Sequence, residues 1–582
     1  MPGFFFALSA LGLFISFFTS AICAEIHPVD WEKRWDSIKT LREDGYLKDS
    51  LSLADQTLSS ARKLLDDQNP IKYRALYEYA ATLYCLDQFK EAKKIVSLGL
   101  ALQNSNKQEN SPEMVRNLEL LAKIQIAHAQ ASQARTNISQ AVAILKTLGT
   151  GHDELEASLL HSMAVLERES GQYEEAFRLG SQALVLLSGK DQFFTMTARV
   201  AYDLGSIALE AGWISRAKEL LDKCVRTLEN KVAKDHPSWA YAMEAMAVVL
   251  ILSGNLASPL PLIEGAIQIQ SKWFSSRHSR VIESRLLKGM LLDLIGDRTS
   301  ARQEFQSAVQ SLSEIFGNQH PKMINPLAYL AKTYDRVKDV KLAEKNWKMA
   351  HEIALKYYDN SHPIMINLEI DQANLLMRQA KYFQAESILN SCLKLLENLN
   401  GNDSSALVRV LEPFSILYRA QGRNKDALNS YIRIFNIQLK THGRGHPDIT
   451  RTLEKLTGLL YELGQVSNAL KWAHEDVEKL VKERGENHQE VLTRVGNVIF
   501  LAQVADENKI ALEGYLMALR IQRRHFGSAH PEVATTLFKT SGLLRKMGQD
   551  QEAESMEREA QLINMGGNPE DKDILFKGKR ID

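Results

Sequence analysis

From residue 28 to residue 572 apolar positions recur at spacings of three and four, the pattern of helices buried along one stripe. Residues 320–360 show the unit: Leu327, Leu330, Ala331 and Tyr334 form one stripe, and Leu342, Ala343, Trp347, Ala350, Ile353 and Ala354 form a second. Pro321 suits the first turn of the first helix, where no backbone N–H is needed. Between the stripes, other units carry Gly212, Gly254, Gly296, Gly422, Gly464 and Gly548 in one phase, as a left-handed helix end favours. Each unit therefore predicts two antiparallel helices.

The units keep step over the whole stretch. His-Pro pairs begin at His236, His320, His362, His446 and His530, separated by 84, 42, 84 and 84 residues. His152, His278 and His488 fill further slots of that phase, and Ser404 takes one. Ala217, Ala301, Ala343, Ala385, Ala427, Ala469, Ala511 and Ala553 share a second phase, and Ala92, Ala134 and Ala176 extend it after a one-residue shift. Two more columns of small residues run through Ala308, Ala350 and Cys392 and through Gly289, Ala331 and Ala373. Helices approach closely only where their ridges carry little side chain. A lone pair leaves an apolar face bare, so stacking of neighbours supplies the core. Pro259 interrupts the alanine column, and its second helix is expected to start late.

The order Ala331, Tyr334, Ala343, Trp347 and Ala350 resembles the tetratricopeptide repeat, and the His-Pro start with a 42-residue unit resembles its kinesin-light-chain type. HEAT repeats share the period but lack this small-residue pattern. The resemblance spans residues 28–572 and implies an all-α, right-handed superhelical solenoid of about thirteen stacked helix-turn-helix repeats. Residues 25–69 read as a degenerate capping repeat, with Ile38, Ser50 and Thr57 in the small-residue slots; 70–572 form the solenoid and 573–582 a tail.

Residues 4–18 are an unbroken apolar run of fifteen, short for a membrane span of about 20 but suited to a signal-peptide core. Small residues at Ser20, Ala21 and Ala24 follow, so residues 1–24 are expected to be a signal peptide that directs export to a periplasm or the exterior. An uncleaved anchor is the alternative. No Lys or Arg precedes the run, and Ile22 stands where a lipoprotein signal at Cys23 would want a small residue.

With 71 Lys+Arg against 71 Asp+Glu, no basic excess marks a nucleic-acid binder. The four cysteines include no Cys-x-x-Cys pair, and Cys224 and Cys392 read as buried packing four units apart. Successive histidines of the column lie a stacked layer apart, about 10 Å, too far to share a metal ion whose ligands sit near 2 Å. They read as loop residues ahead of helix starts, and His442 and His446 share a glycine-containing loop rather than a helix face. No phosphate-binding loop, dinucleotide fingerprint, His-Glu-x-x-His or nucleophile elbow occurs, so no enzyme, metal or cofactor is expected.

The resemblance further implies that the first helices line a concave groove for peptide segments or helices of partner proteins. The slot six residues before the first-helix small residue holds Arg199, Tyr241, Glu283, Asn325, Asn367, Arg409, Arg451, Thr493 and Thr535, polar throughout. Tyr329, Lys332, Asp371, Asn374 and Lys455 are expected on the same face. Arginine forks and asparagine amides suit a ligand backbone or carboxylate. The expected function is a protein-binding scaffold; the alternative is a self-assembling structural component of the exported compartment.

Overall fold

A computed structural model describes residues 28–444 and 446–567. The expected signal peptide and the tail lie outside the described residues. Within them are thirteen antiparallel pairs of α-helices, from Pro28–Glu43 with Leu47–Leu64 to Pro531–Lys546 with Asp550–Asn564. No strand occurs among the described residues, and none of their helices is long and apolar enough to cross a membrane. They form two compact units. One comprises residues up to Val200 with Thr227–Ala242 and Gly265–Ser284, the other Ala201–Arg226, Met243–Glu264 and residues from Arg285 onward. In the first unit the pairs from Pro28 to Leu187 stack in chain order, and in the second those from Arg298 to Asn564 do so.

The small-residue columns are the contact lines. Ala92, Ala134, Ala176, Ala217, Ala301, Ala343, Ala385, Ala427, Ala469, Ala511 and Ala553 are all 0% exposed. At Gly289 a Cβ would sit 2.6 Å from the Phe305 ring, so even alanine is too large there. Leucines and isoleucines fill the grooves beside these contacts, each buried side chain contributing about 1.5–3 kcal/mol. In the first repeat Ile38, Ser50 and Thr57 are fully buried in the small-residue slots. There Ser50 Oγ donates to the Ile38 carbonyl at 3.0 Å, so its burial leaves no orphaned hydroxyl. The helix Pro259–Trp273 does start late, with Asn255 Oδ1 accepting from the Ala257 and Ser258 amides ahead of it.

The turn between the two helices of a pair is left-handed whatever residue occupies it. Gly212, Gly254, Gly296, Gly422, Gly464 and Gly548 have φ between +71° and +93°, and Lys338, Ala380 and Asp506 hold the same slot at +58° to +64°.

The histidine column does more than precede helices. At seven positions — His236, His278, His320, His362, His446, His488 and His530 — Nδ1 accepts from the backbone N–H two residues on, at 3.1–3.3 Å. This satisfies one of the orphaned amides of the first turn. Ser404 does the same with its hydroxyl. His152 makes no such cap. An aromatic ring four residues earlier stacks on four of these imidazoles, at 4.0–4.9 Å: Phe274, Phe316, Tyr358 and Phe526.

Where Nδ1 accepts, Nε2 is left to donate, and it reaches far along the chain. Within the first unit His278 Nε2 donates to the Cys85 carbonyl at 2.8 Å, 193 residues away, while the Ser279 amide and hydroxyl donate to Asp87. His236 Nε2 faces Asp44 Oδ1 at 3.1 Å, 192 residues away. Within the second unit His446 Nε2 donates to the Leu252 carbonyl and Ser405 Oγ to the Gly212 carbonyl, both at 2.7 Å. Cys85 and Leu252 are the last residues of first helices, whose carbonyls lack helical partners. One imidazole thus closes the start of one first helix and the end of another. The turns come close enough only because Gly45 and Gly212 lack side chains: a Cβ would meet Pro237 at 2.2 Å and Ser405 at 2.0 Å.

Two changes test this packing by thermal or denaturant unfolding. Ala343→Leu overfills a contact line and is expected to cost about 1–3 kcal/mol. Ala380→Gly relieves a left-handed alanine on an exposed turn and is expected to add about 1 kcal/mol.

Candidate functional site

The uncovered faces of the first helices carry the residues singled out in the sequence. In the second unit five of them come together. Lys332 Nζ lies 3.2 Å from Asp371 Oδ2, Arg409 Nη1 donates to Asn367 Oδ1 at 3.5 Å, and the Tyr329 ring lies 5.2 Å from that of Phe305. Burial pushes the Asp371 carboxyl upward despite Lys332 and Arg409, and pushes the Tyr329 hydroxyl up as well. Asp371 is therefore a buried anchor for Lys332 rather than an exposed contact. Arg451 is held by Asp448 on its own helix at 3.0 Å, and Lys455 by Glu412 at 3.6 Å. Asn325 is exposed and Asn374 half-buried; neither side chain makes a hydrogen bond among the described residues.

In the first unit the Arg280 guanidinium lies 4.1 Å over the Tyr241 ring and 2.8 Å from Glu283. Arg199 is exposed and acts electrostatically on Tyr84 and Cys85. The same slot, after the one-residue shift that the alanine column shows, also holds Arg74, Arg116 and Ser158, which the sequence reading passed over. Arg116 pairs with Glu113 on its own helix at 3.5 Å, while Arg74 and Ser158 each bond a buried carboxylate. Glu78 receives Arg42 at 2.8 Å and Arg74 at 2.7 Å; Glu119 receives Lys123 at 2.8 Å, Ser158 at 2.5 Å and Ser162 at 2.9 Å. Burial alone would raise both, but these partners hold them below the usual carboxylate range. Such a face presents fixed charges and dipoles on a rigid support.

Other polar clusters serve the framework. Asp476, buried, bonds both Arg444 and the fully buried Arg494, whose Nε donates to Thr450 Oγ1 at 2.9 Å, tying the turn at Arg444 into the next repeat. Among the described residues no three His, Cys, Asp or Glu side chains are grouped to hold a metal ion. Among the described residues Cys85, Cys224 and Cys392 form no disulfide, and burial with a nearby Glu369 pushes the Cys392 thiol up to about 12. A cavity of about 400 Å³ opens beside the second helix Asn424–His442, lined by Asp403, Ile432, Arg433 and Lys440, away from the first-helix face.

Residues 414–448 match the tetratricopeptide repeat. No curated protein matches the chain. Among solved structures, a putative kinesin light chain of Podosopora anserina with nearly identical TPR-like repeats is 18% identical, covers 36% of this chain and 98% of its own, and gives a TM-score of 0.28. BtubC (BKLC) of P. vanneervenii is 19% identical, covers 42% and 98%, and gives 0.29. A Rap protein complexed with competence and sporulation factor is 13% identical, covers 64% and 98%, and gives 0.40.

Glu78 makes the electrostatics testable. Its folded pKa is depressed, so its contribution is present above the unfolded carboxylate range and lost as pH falls through the folded value. Glu78→Gln leaves two guanidiniums without their carboxylate, and is expected to cost about 3 kcal/mol at neutral pH. The variant's unfolding should also fall less steeply than wild type as pH drops below about 5.

Proposed function

We propose that this stack of helix pairs is a non-enzymatic scaffold whose first-helix face binds peptide segments or helices of partner proteins. The observation that carries the reading is the arrangement around Lys332, Asn367 and Arg409. Polar side chains are aligned at 42-residue intervals on an uncovered face, over a core in which the contact residues have no exposure. Rigid first helices hold donors and acceptors in place before a ligand arrives, which limits the ordering cost of binding. Asn325 and Asn374 offer amides that the fold leaves for a ligand backbone. The match of residues 414–448 to the tetratricopeptide repeat supports a protein ligand. Read as a signal-peptide core, the apolar run at 4–18 supports an exported compartment for this function, with an uncleaved membrane anchor as the alternative.

Capture from that compartment with the full mature chain, followed by titration of each captured protein, tests the reading. Replacing Asn325, Asn367, Arg409 and Arg451 together by Ala is expected to leave helicity and melting nearly unchanged and to weaken capture at least tenfold. Equal capture by wild type and variant removes the groove assignment.

A further inference from the structure

The last first helices of the second unit present an apolar strip: Tyr461 is 40% exposed, Phe500 50% and Val504 44%, with the Tyr461 and Phe500 rings 5.6 Å apart. Three glycines lie within these helices on the same face: Gly458, Gly496 and Gly542. A Cβ at any of them would meet nothing within 4 Å, so no neighbour in the chain demands a glycine. Each lowers helix stability by about 1 kcal/mol relative to alanine. The bare helix surface beside Phe500 is therefore unexplained by internal packing.

We infer that this strip is the seat of the chain's own C-terminal segment Ile574-Leu575-Phe576. The described chain ends at Gly567, and Ile563 packs with Val533 and Leu537 at the start of the helix Pro531–Lys546. From there Gly542 lies about 16 Å along the helix axis at 1.5 Å per residue, and the helix of Phe500 is about 10 Å to the side. The seven residues from Gly567 to Ile574 span up to about 24 Å when extended, enough to bring the apolar triplet over Gly542 and against Phe500. The path crosses the exposed Lys539, and the segment on it carries Glu570, Asp571 and Asp573 against the single Lys572, a net opposite charge. The triplet is the one apolar run in residues 568–582. The contact involves no other protein, so its failure leaves the scaffold reading untouched.

Brief trypsin digestion of the full native chain, with cleavage after Lys577 followed by mass spectrometry, tests the contact. Phe500→Ala, Gly542→Gln and Phe576→Ser should each accelerate that cleavage at least fivefold over wild type, at a rate independent of protein concentration from 0.1 to 10 µM. Phe576→Ser lies outside the packed array, so it reports even if a strip variant unfolds. Equal rates in wild type and all three variants overturn the inference. Protection that fades on dilution also overturns it, and assigns the strip to the tail of a second copy.

Discussion

The structure depends on helices meeting where there is almost no side chain. Eleven alanines of the second-helix column have no exposed surface, and at Gly289 not even a methyl group fits. Close approach of this kind has one geometry, because the larger residues on either side must fill fixed grooves. Each pair then presents the next with the same surface, and one 42-residue rule suffices for hundreds of residues. The first-helix face stays open because burial is satisfied elsewhere.

The imidazole column adds a second, longer-range constraint. A helix start lacks acceptors for its first amides and a helix end lacks donors for its last carbonyls. A neutral histidine with Nδ1 accepting and Nε2 donating satisfies one of each, as His278 does between the Arg280 amide and the Cys85 carbonyl. Serine at 404 and 405 divides the same two tasks between two hydroxyls. Distances of 192–194 residues fall between four and five repeats, so these bonds hold parts of the chain that the stacking rule alone does not connect.

This explains what was readable beforehand. Pairing, period and buried columns follow from side-chain size and polarity at fixed intervals, and the late helix at Pro259 follows from proline chemistry. The partner of His278 does not. It depends on a small rotation from each pair to the next, accumulated over several repeats, and no single residue encodes that. The candidate site shows the same division. Asn325 of the column is exposed and Asn374, expected on the same face, is half-buried, but Asp371 and Lys332, also expected there, pair with each other across adjacent repeats. Arg74, Arg116 and Ser158 were recoverable from the one-residue shift, because the alanine column records it. The buried Asp476, shared by two arginines, breaks the pattern and had no periodic signal.

The central claim is that identical close contacts recur every 42 residues and carry the stability of each unit. Native-state hydrogen exchange, read amide by amide, tests it directly. The account predicts that within each unit the slowest amides recur in phase, around Ala343, Ala385, Ala427, Ala469 and Ala511 in the second, with fast exchange at the left-handed turns between them. Slow exchange confined to a few blocks without that spacing would contradict it.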